Sequence, residues 1–223
     1  MQQGDESKDA IQAGWPQQLC QGLEKMQCSL SPAQQQQLLD YLGLLTKWNR
    51  VFNLTAVRDP QEMVSRQLLD SLAILPWVKG RRVLDVGTGA GLPGIPLAIA
   101  LPDMAFTLLD SNGKKTRFVQ QAAAQLGLQN VSVAHTRIES LQEAAGFDVI
   151  TSRAFASLGD FLGATARLLA EGGVWLAMKG QIEPDEAGMP PGVSAQWHPL
   201  LVPGTRGQRH LVECRQDPPA SAP

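Results

Sequence analysis

The stretch Val83-Leu84-Asp85-Val86-Gly87-Thr88-Gly89-Ala90-Gly91-Leu92 decides the fold of this 223-residue chain. It reads as a buried strand that ends near an acid and breaks into a loop with glycines at alternate positions. Glycines at such a break let the backbone approach a ligand where a side chain would collide. The dinucleotide-binding fingerprint is excluded because Leu92 stands where its third glycine belongs, and the Gly-Lys-Ser/Thr ending of a phosphate loop is missing.

A second acid lies where a nucleoside-binding βαβ unit needs one. The run Phe106-Thr107-Leu108-Leu109-Asp110 reads as another buried strand, and Asp110 follows Gly87 by 23 positions. An acid about 20 residues after the glycine loop lies at the tip of the second strand and can accept hydrogen bonds from ribose hydroxyls. The alternative is a glycine turn and a helix-capping aspartate in some other α/β protein. The Asp-x-Gly-x-Gly-x-Gly pattern itself resembles the first motif of methyltransferases that use S-adenosylmethionine (AdoMet).

Composition indicates an ordinary globular protein without a membrane segment. The chain is 43% hydrophobic and 18% charged, with a formal net charge of -2, so bulk charge does not indicate a nucleic-acid partner. No apolar run approaches the roughly 18 residues of a membrane-spanning helix, and the first residues do not form a secretory signal. Cys20, Cys28 and Cys214 lack metal-ligand spacing. We therefore expect a cytoplasmic protein that binds no metal and has no membrane partner.

Strand and helix patterns predict an α/β fold with a helical N-terminal cap. Ser31-Pro32 and Asp59-Pro60 are helix-start signals in the cap. The predicted domains are a flexible tail at 1–15, a helical cap at 16–78, a Rossmann-like AdoMet methyltransferase domain at 79–215, and a flexible tail at 216–223. Strands are expected at 82–86, 105–110, 131–134, 147–151, 173–178, 195–202 and 208–214. Helices are expected at 92–101, 113–126 and 155–170, with a shorter one near 138–144. Seven such strands suggest the seven-stranded AdoMet methyltransferase sheet, whose last strand runs antiparallel.

Several separated motifs follow one another along roughly residues 30 to 215. These are Lys47-Trp48-Asn49-Arg50-Val51-Phe52-Asn53-Leu54-Thr55, Leu69-Asp70-Ser71, Asp85 to Pro96, Ser152-Arg153-Ala154-Phe155-Ala156, and Lys179-Gly180. In this order they resemble the motifs of one bacterial family, the small-subunit ribosomal RNA methyltransferases called RsmG or GidB. One departure is Gln67, where the family usually has His. A contact at that position must therefore be made by hydrogen bonding without a titratable charge.

The resemblance implies a reaction and its partners. Members of the family methylate N7 of guanine 527 in the 530 loop of 16S rRNA, using AdoMet and no metal. The implied partner is 16S rRNA or the small ribosomal subunit, loss of the gene is expected to give low-level streptomycin resistance, and we expect a monomer. Guanine N7 has a free lone pair and loses no proton, so catalysis by proximity and orientation suffices, without a general base.

The same resemblance assigns roles to individual residues. Gly87, Gly89 and Gly91 bring backbone against AdoMet, Leu92 lines the same wall, and Asp110 takes the ribose hydroxyls. Asp85 either orients the loop, reaches the methionine amino group or caps a helix. Ile138 and Glu139 align with the pair that flanks the adenine. Arg153 is placed at AdoMet and is the one candidate for a catalytic, orienting role; pairing with Asp110 or with a phosphate is the alternative.

Basic residues on three parts of the chain are candidate RNA contacts. For any single one of them, a solvated surface charge remains the alternative. The candidates are Lys47, Arg50, Arg58 and Arg66 in the cap, Lys114, Lys115 and Arg117 after the second strand, Lys179 at the fifth strand, and Arg206, Arg209 and His210 near the end.

Two further hypotheses stay open from the sequence. One is a small-molecule methyltransferase with a helical lid, which the modest net charge would suit. The other is a non-catalytic AdoMet-binding regulatory protein. The motifs outside the glycine loop argue against the first, and the acid-glycine loop with Asp110 and Arg153 argues against the second.

Overall fold

A computed structural model describes residues 12–153, 155, 157–180 and 189–217 of the chain. Its strands are β1 (Arg82–Val86), β2 (Ala105–Asp110), β3 (Val131–His135), β4 (Phe147–Ser152), β5 (Leu169–Lys179), β6 (Val193–Pro199) and β7 (His210–Gln216). Its α-helices are α1 (Trp15–Lys25), α2 (Pro32–Phe52), α3 (Pro60–Met63), α4 (Asp70–Leu72), α5 (Gly94–Ala100), α6 (Gly113–Gln125) and α7 (Leu158–Thr165). A π-helical segment, Val64–Leu69, joins α3 to α4.

The strands form one mixed sheet in the order β3-β2-β1-β4-β5-β7-β6. Strands β1 to β5 pair in parallel, and β7 runs antiparallel to both β5 and β6. Buried side chains form two hydrophobic clusters, and the larger one joins the N-terminal helices to the sheet. The predicted seven-stranded Rossmann-like sheet with N-terminal helices is confirmed.

The N-terminal helices owe their positions to local caps and to a shared apolar face. Ser31 caps the start of α2, as the Ser31-Pro32 signal predicts, and it forms a capping box with Gln34. Asp59 caps α3 by accepting a hydrogen bond from the Gln61 backbone. Helix α1 is not among the predicted elements. It begins at Trp15, which is buried and donates an indole hydrogen bond to the Pro60 carbonyl oxygen at 2.9 Å.

Several predicted boundaries differ from the structure. The helix expected at 138–144 is a single 3-10 turn, Ile138–Ser140, and the helix expected at 155–170 is the shorter α7, Leu158–Thr165. Strand β5 starts four residues earlier than predicted, at Leu169, because it continues alongside β4 through an irregularity in register. Helix α5 starts at Gly94 rather than 92.

The predicted tails at 1–15 and 216–223 lie largely outside the described residues, and the division into domains stays a prediction. Trp15 and Gln216, at the inner ends of those tails, belong to α1 and β7. Within the described residues, no helix is long and apolar enough to cross a membrane.

Candidate active site

The loop after β1 takes a conformation that its glycines permit. Gly87, Gly89 and Gly91 have φ of 68°, 61° and 87°, a region that residues with a Cβ rarely adopt. A Cβ on Gly91 would lie 2.6 Å from the Ile95 side chain, so a close approach also restricts this position. Gly87 and Gly89 remain partly exposed between buried neighbours, so the loop presents bare backbone at the end of the sheet.

Asp85 holds this loop from below. One of its carboxylate oxygens accepts hydrogen bonds from the Thr88 hydroxyl at 2.6 Å and from the Gly94 N–H, the first residue of α5, at 3.0 Å. Complete burial raises the pKa of the Asp85 carboxyl to about 6, and these two hydrogen bonds oppose the rise. Its other oxygen, Oδ1, has no hydrogen-bond partner among the described residues. Asp85 therefore orients the loop and caps α5.

Asp110 connects the loops that follow β1 and β2. One carboxylate oxygen accepts the Gly89 N–H at 2.9 Å, and the other accepts the Asn112 N–H at 2.8 Å. The side chain is almost buried. Because each carboxylate oxygen can accept more than one hydrogen bond, Asp110 keeps acceptor capacity for a ligand beside Gly89.

A cavity of about 310 Å³ opens beside this acid at the carboxyl ends of β1 to β4. Gly87 and Asp110 form one side, Ile138 and Glu139 another, and Phe155 lines it after β4. Of the residues predicted to bind the cofactor, these four, Gly87, Asp110, Ile138 and Glu139, share one cavity. Asp85, Gly91 and Leu92 lie buried in or under the loop, Gly89 is partly exposed within it, and cofactor contacts by these four stay predictions.

A second cavity, of about 420 Å³, lies between the N-terminal helices and the same edge of the sheet, and we call it the seam cavity. Among the described residues, four cationic side chains and one carboxylate line it, namely Arg66, Arg153, Lys179, Arg209 and Asp70. His210 also lines it, is buried, and has no partner for its Nδ1 among the described residues. The lining favours an anionic or hydrogen-bonding ligand.

Arg153 belongs to the seam cavity. Its guanidinium donates to the Asp70 carboxylate at 3.0 Å and to the Gln67 side-chain oxygen at 3.3 Å. The predicted alternative of a pair with Asp110 is therefore replaced by a pair with Asp70, an acid supplied by the helical region. Arg209 donates to the other Asp70 oxygen at 3.2 Å, so one carboxylate holds two guanidinium groups.

Gln67, which stands where the family usually has His, contacts both Thr55 and Arg153. It is buried in the π-helical segment, where its amide nitrogen donates to the Thr55 hydroxyl at 2.8 Å while its oxygen accepts from Arg153. An amide does both at any pH, which a titratable side chain does not.

The other basic candidates fall into separate places. Arg66, Lys179, Arg209 and His210 line the seam cavity. Arg50 and Arg58 line a cavity of about 200 Å³ between α2 and α3. Lys47, Lys114, Lys115, Arg117 and Arg206 lie on the surface with partial or full exposure.

Sequence reasoning missed residues whose partners are distant in the chain. The Tyr41 hydroxyl donates to the Ala90 carbonyl oxygen within the glycine loop at 2.7 Å. Asp70 and Phe155 belong to the family motifs, but the sequence gives neither of them a role of its own. The partners of Tyr41 and Asp70 in these contacts lie 49 or more residues away, and no local pattern reports them. Within the described residues, no group of His, Cys, Asp and Glu could hold a metal ion.

Comparison with known proteins gives a family of matching length. A family model described as rRNA small subunit methyltransferase G (GidB) matches residues 34–212. The chain is 57% identical over 200 residues to ribosomal RNA small subunit methyltransferase G of Marinobacter nauticus, which covers 89% of this chain and 94% of that protein. It is 51% identical over 204 residues to the protein of the same name from Pseudomonas aeruginosa, with 89% and 94% covered.

Solved structures agree on the fold. A putative O-methyltransferase from Klebsiella pneumoniae superposes with a TM-score of 0.57 at 19% identity, covering 80% of this chain and 90% of that one. The O-methyltransferase TomG from Streptomyces achromogenes, solved in complex with SAM, gives a TM-score of 0.56 at 19% identity and the same coverage. At this identity the likeness concerns the fold alone.

Proposed function

Because the chain belongs to the rRNA small subunit methyltransferase G family, we propose that it transfers the methyl group of AdoMet directly to N7 of guanine 527 in 16S rRNA. One observation carries this proposal. Two cavities open at the same edge of the sheet, and the segment after β4 borders both, with Phe155 in one and Arg153 in the other. A donor and an acceptor in these cavities would approach each other at the end of β4, where open α/β sheets bind ligands.

The cavity beside Asp110 fits the nucleoside of the methyl donor. Its lining combines the bare backbone at Gly87, an almost buried carboxylate for ribose hydroxyls, and the apolar Ile138 for a base. Glu139 lies at the same wall, where the family resemblance implies a backbone donor to the base. AdoMet, when bound, supplies a methyl group already activated by its sulfonium. The residues therefore have to bind and orient the donor, and no metal enters the proposal.

The seam cavity fits the nucleotide that accepts the methyl group. Among the described residues, its lining carries more cationic side chains than carboxylates, which suits a ligand with a phosphate. Because Asp70 already binds Arg153 and Arg209, this carboxylate is suited to fix two arginines rather than to abstract a proton. Guanine N7 needs no base, so orientation is the task left to Arg153.

The proposed substrate is an RNA that the chain recognises through local groups such as those of the seam cavity. The formal net charge of -2 gives no general attraction for RNA, so recognition has to use local groups and RNA shape. The proposed partner is the small ribosomal subunit or its 16S rRNA, with the 530 loop as the target, and the proposed location is the cytoplasm.

Asp110→Asn tests the donor site. The change replaces a charged acceptor by a neutral amide, and hydrogen bonds to a charged group contribute about 1.5–3 kcal/mol, so AdoMet affinity should fall by about ten- to a hundredfold. Titration calorimetry of AdoMet against wild type and the variant measures this fall. Asp103→Asn, at an exposed acid away from the cavity, is the matched control and should bind as wild type does. Equal affinity for Asp110→Asn would remove Asp110 from the donor site.

A further inference from the structure

An exposed aromatic ring stands at the C-terminal end of α2. Phe52 is 42% exposed and its neighbour Val51 is 69% exposed, and Leu201 is the other large hydrophobic residue with such exposure among those described. A single exposed apolar residue is ordinary on a protein surface. Phe52 differs because of what supports it and what surrounds it.

The ring rests on a row of other aromatic rings. Its centroid lies 5.3 Å from that of Trp48, one helical turn earlier, and Trp48 lies 5.6 Å from Phe118 of α6. Phe118 is fully buried and lies 6.3 Å from the buried Tyr41. Phe52 is therefore held against the core while its remaining surface faces solvent. Because the ring is already held in place, stacking a ligand on it would cost little side-chain conformational entropy.

Cationic groups lie at the same end of α2 as this ring. Arg50 is exposed two residues before Phe52, and the Arg58 guanidinium donates to the side-chain oxygen of Asn53, the next residue, at 3.1 Å. Arg50 and Arg58 also line the cavity between α2 and α3, and no acid lines it among the described residues. On α6, Lys114 and Lys115 precede Phe118 by one turn and so lie on its helical face.

We infer that Phe52 is a stacking platform for an unpaired base of the rRNA substrate, with Arg50 and Arg58 at the adjoining phosphates. The inference rests on the proposed function, since it takes RNA as the partner. Proteins recognise single-stranded RNA by stacking splayed bases on aromatic side chains and by placing cations along the backbone. A supported, half-exposed ring at a helix end that also carries exposed arginines has both features, whereas a docking site for an apolar protein surface would not need the cations.

Substitutions at Phe52 test the inference with small ribosomal subunits as the ligand. Phe52→Ala and Phe52→Leu should each weaken binding by on the order of tenfold, because only an aromatic ring stacks, and Phe52→Trp should bind about as wild type does. Val51→Ala, at the adjacent exposed apolar residue, is the matched control and should leave binding unchanged. AdoMet affinity should be the same for all variants, since Phe52 lies outside the cavity beside Asp110. Wild-type affinity for Phe52→Leu would show an apolar contact and overturn stacking.

A photoreactive phenylalanine analogue at position 52 identifies the partner directly. Irradiation with small subunits should join it to 16S rRNA, and a crosslink confined to a ribosomal protein would overturn the inference. Methyl transfer by the wild-type chain is measured on the same subunits. Absence of transfer to rRNA would refute the proposed function, whereas transfer without an RNA crosslink at position 52 would refute the platform alone.

Discussion

Asp85 stabilises the glycine loop although its burial disfavours the charged form of its carboxylate. The carboxylate is fully buried, yet only one of its oxygens has partners among the described residues. Burial disfavours its charged form, which is why the pKa of Asp85 rises to about 6. The carboxylate is retained where it joins the end of β1, the glycine loop and the start of α5.

This raised pKa predicts a pH dependence of stability. A group whose folded-state pKa exceeds its unfolded value favours folding when protonated, and that contribution is lost as the pH rises from about 4 through about 6. The loss is about 3 kcal/mol for a rise from 3.8 to about 6. Asp85→Asn keeps an acceptor for Thr88 and Gly94 but does not titrate. Urea unfolding of both proteins between pH 4 and pH 7 should show the free energy of unfolding of wild type falling relative to the variant. A difference that is constant with pH would contradict the raised pKa.

At the scale of elements, helix α2 fixes the ends of its neighbours. The Gln34 amide donates to the carbonyl oxygens of Ile99 and Ala100 at the end of α5, and the Gln37 amide donates to that of Leu126 just after α6. Tyr41 adds the hydrogen bond to Ala90 in the glycine loop. The N-terminal helices therefore hold the loop as well as covering the larger core cluster.

Tyr41→Phe should loosen the glycine loop without unfolding the chain. The ring stays packed, but the buried Ala90 carbonyl loses its donor, which costs about 1–3 kcal/mol of stability. Because this hydrogen bond also stabilises the loop conformation that binds AdoMet, AdoMet affinity should fall by up to about tenfold. Ser71→Ala is a matched control, because its equally buried hydroxyl donates to the Gln67 carbonyl, outside the loop. Thermal unfolding and calorimetry measure both effects, and a loss of affinity in Ser71→Ala equal to that in Tyr41→Phe would assign the effect to general destabilisation.

At the scale of the whole molecule, the sequence predicts the features that neighbouring residues determine, and it does not predict those that depend on residues distant in the chain. The strands around Asp85 and Asp110 follow from apolar runs and a glycine break, and the start of α2 follows from Ser31 and its neighbours, all within a few residues. The seam cavity depends on pairs such as Asp70 with Arg153 and Arg209, which are 83 and 139 residues apart. Such pairs depend on how the helical region packs on the sheet, and no local pattern in one sequence contains that information.

The measurement that tests the central claim most directly is a map of methylation on 16S rRNA. Small subunits from cells that lack this gene are incubated with AdoMet and the purified chain, and 7-methylguanine is located by cleavage at the modified base followed by primer extension. Wild type should produce one new stop, at guanine 527, and Arg153→Ala should produce little or none because the orienting guanidinium is lost. An unmodified guanine 527 after incubation with wild-type chain that binds AdoMet, or a methyl group at another nucleotide, would contradict the account.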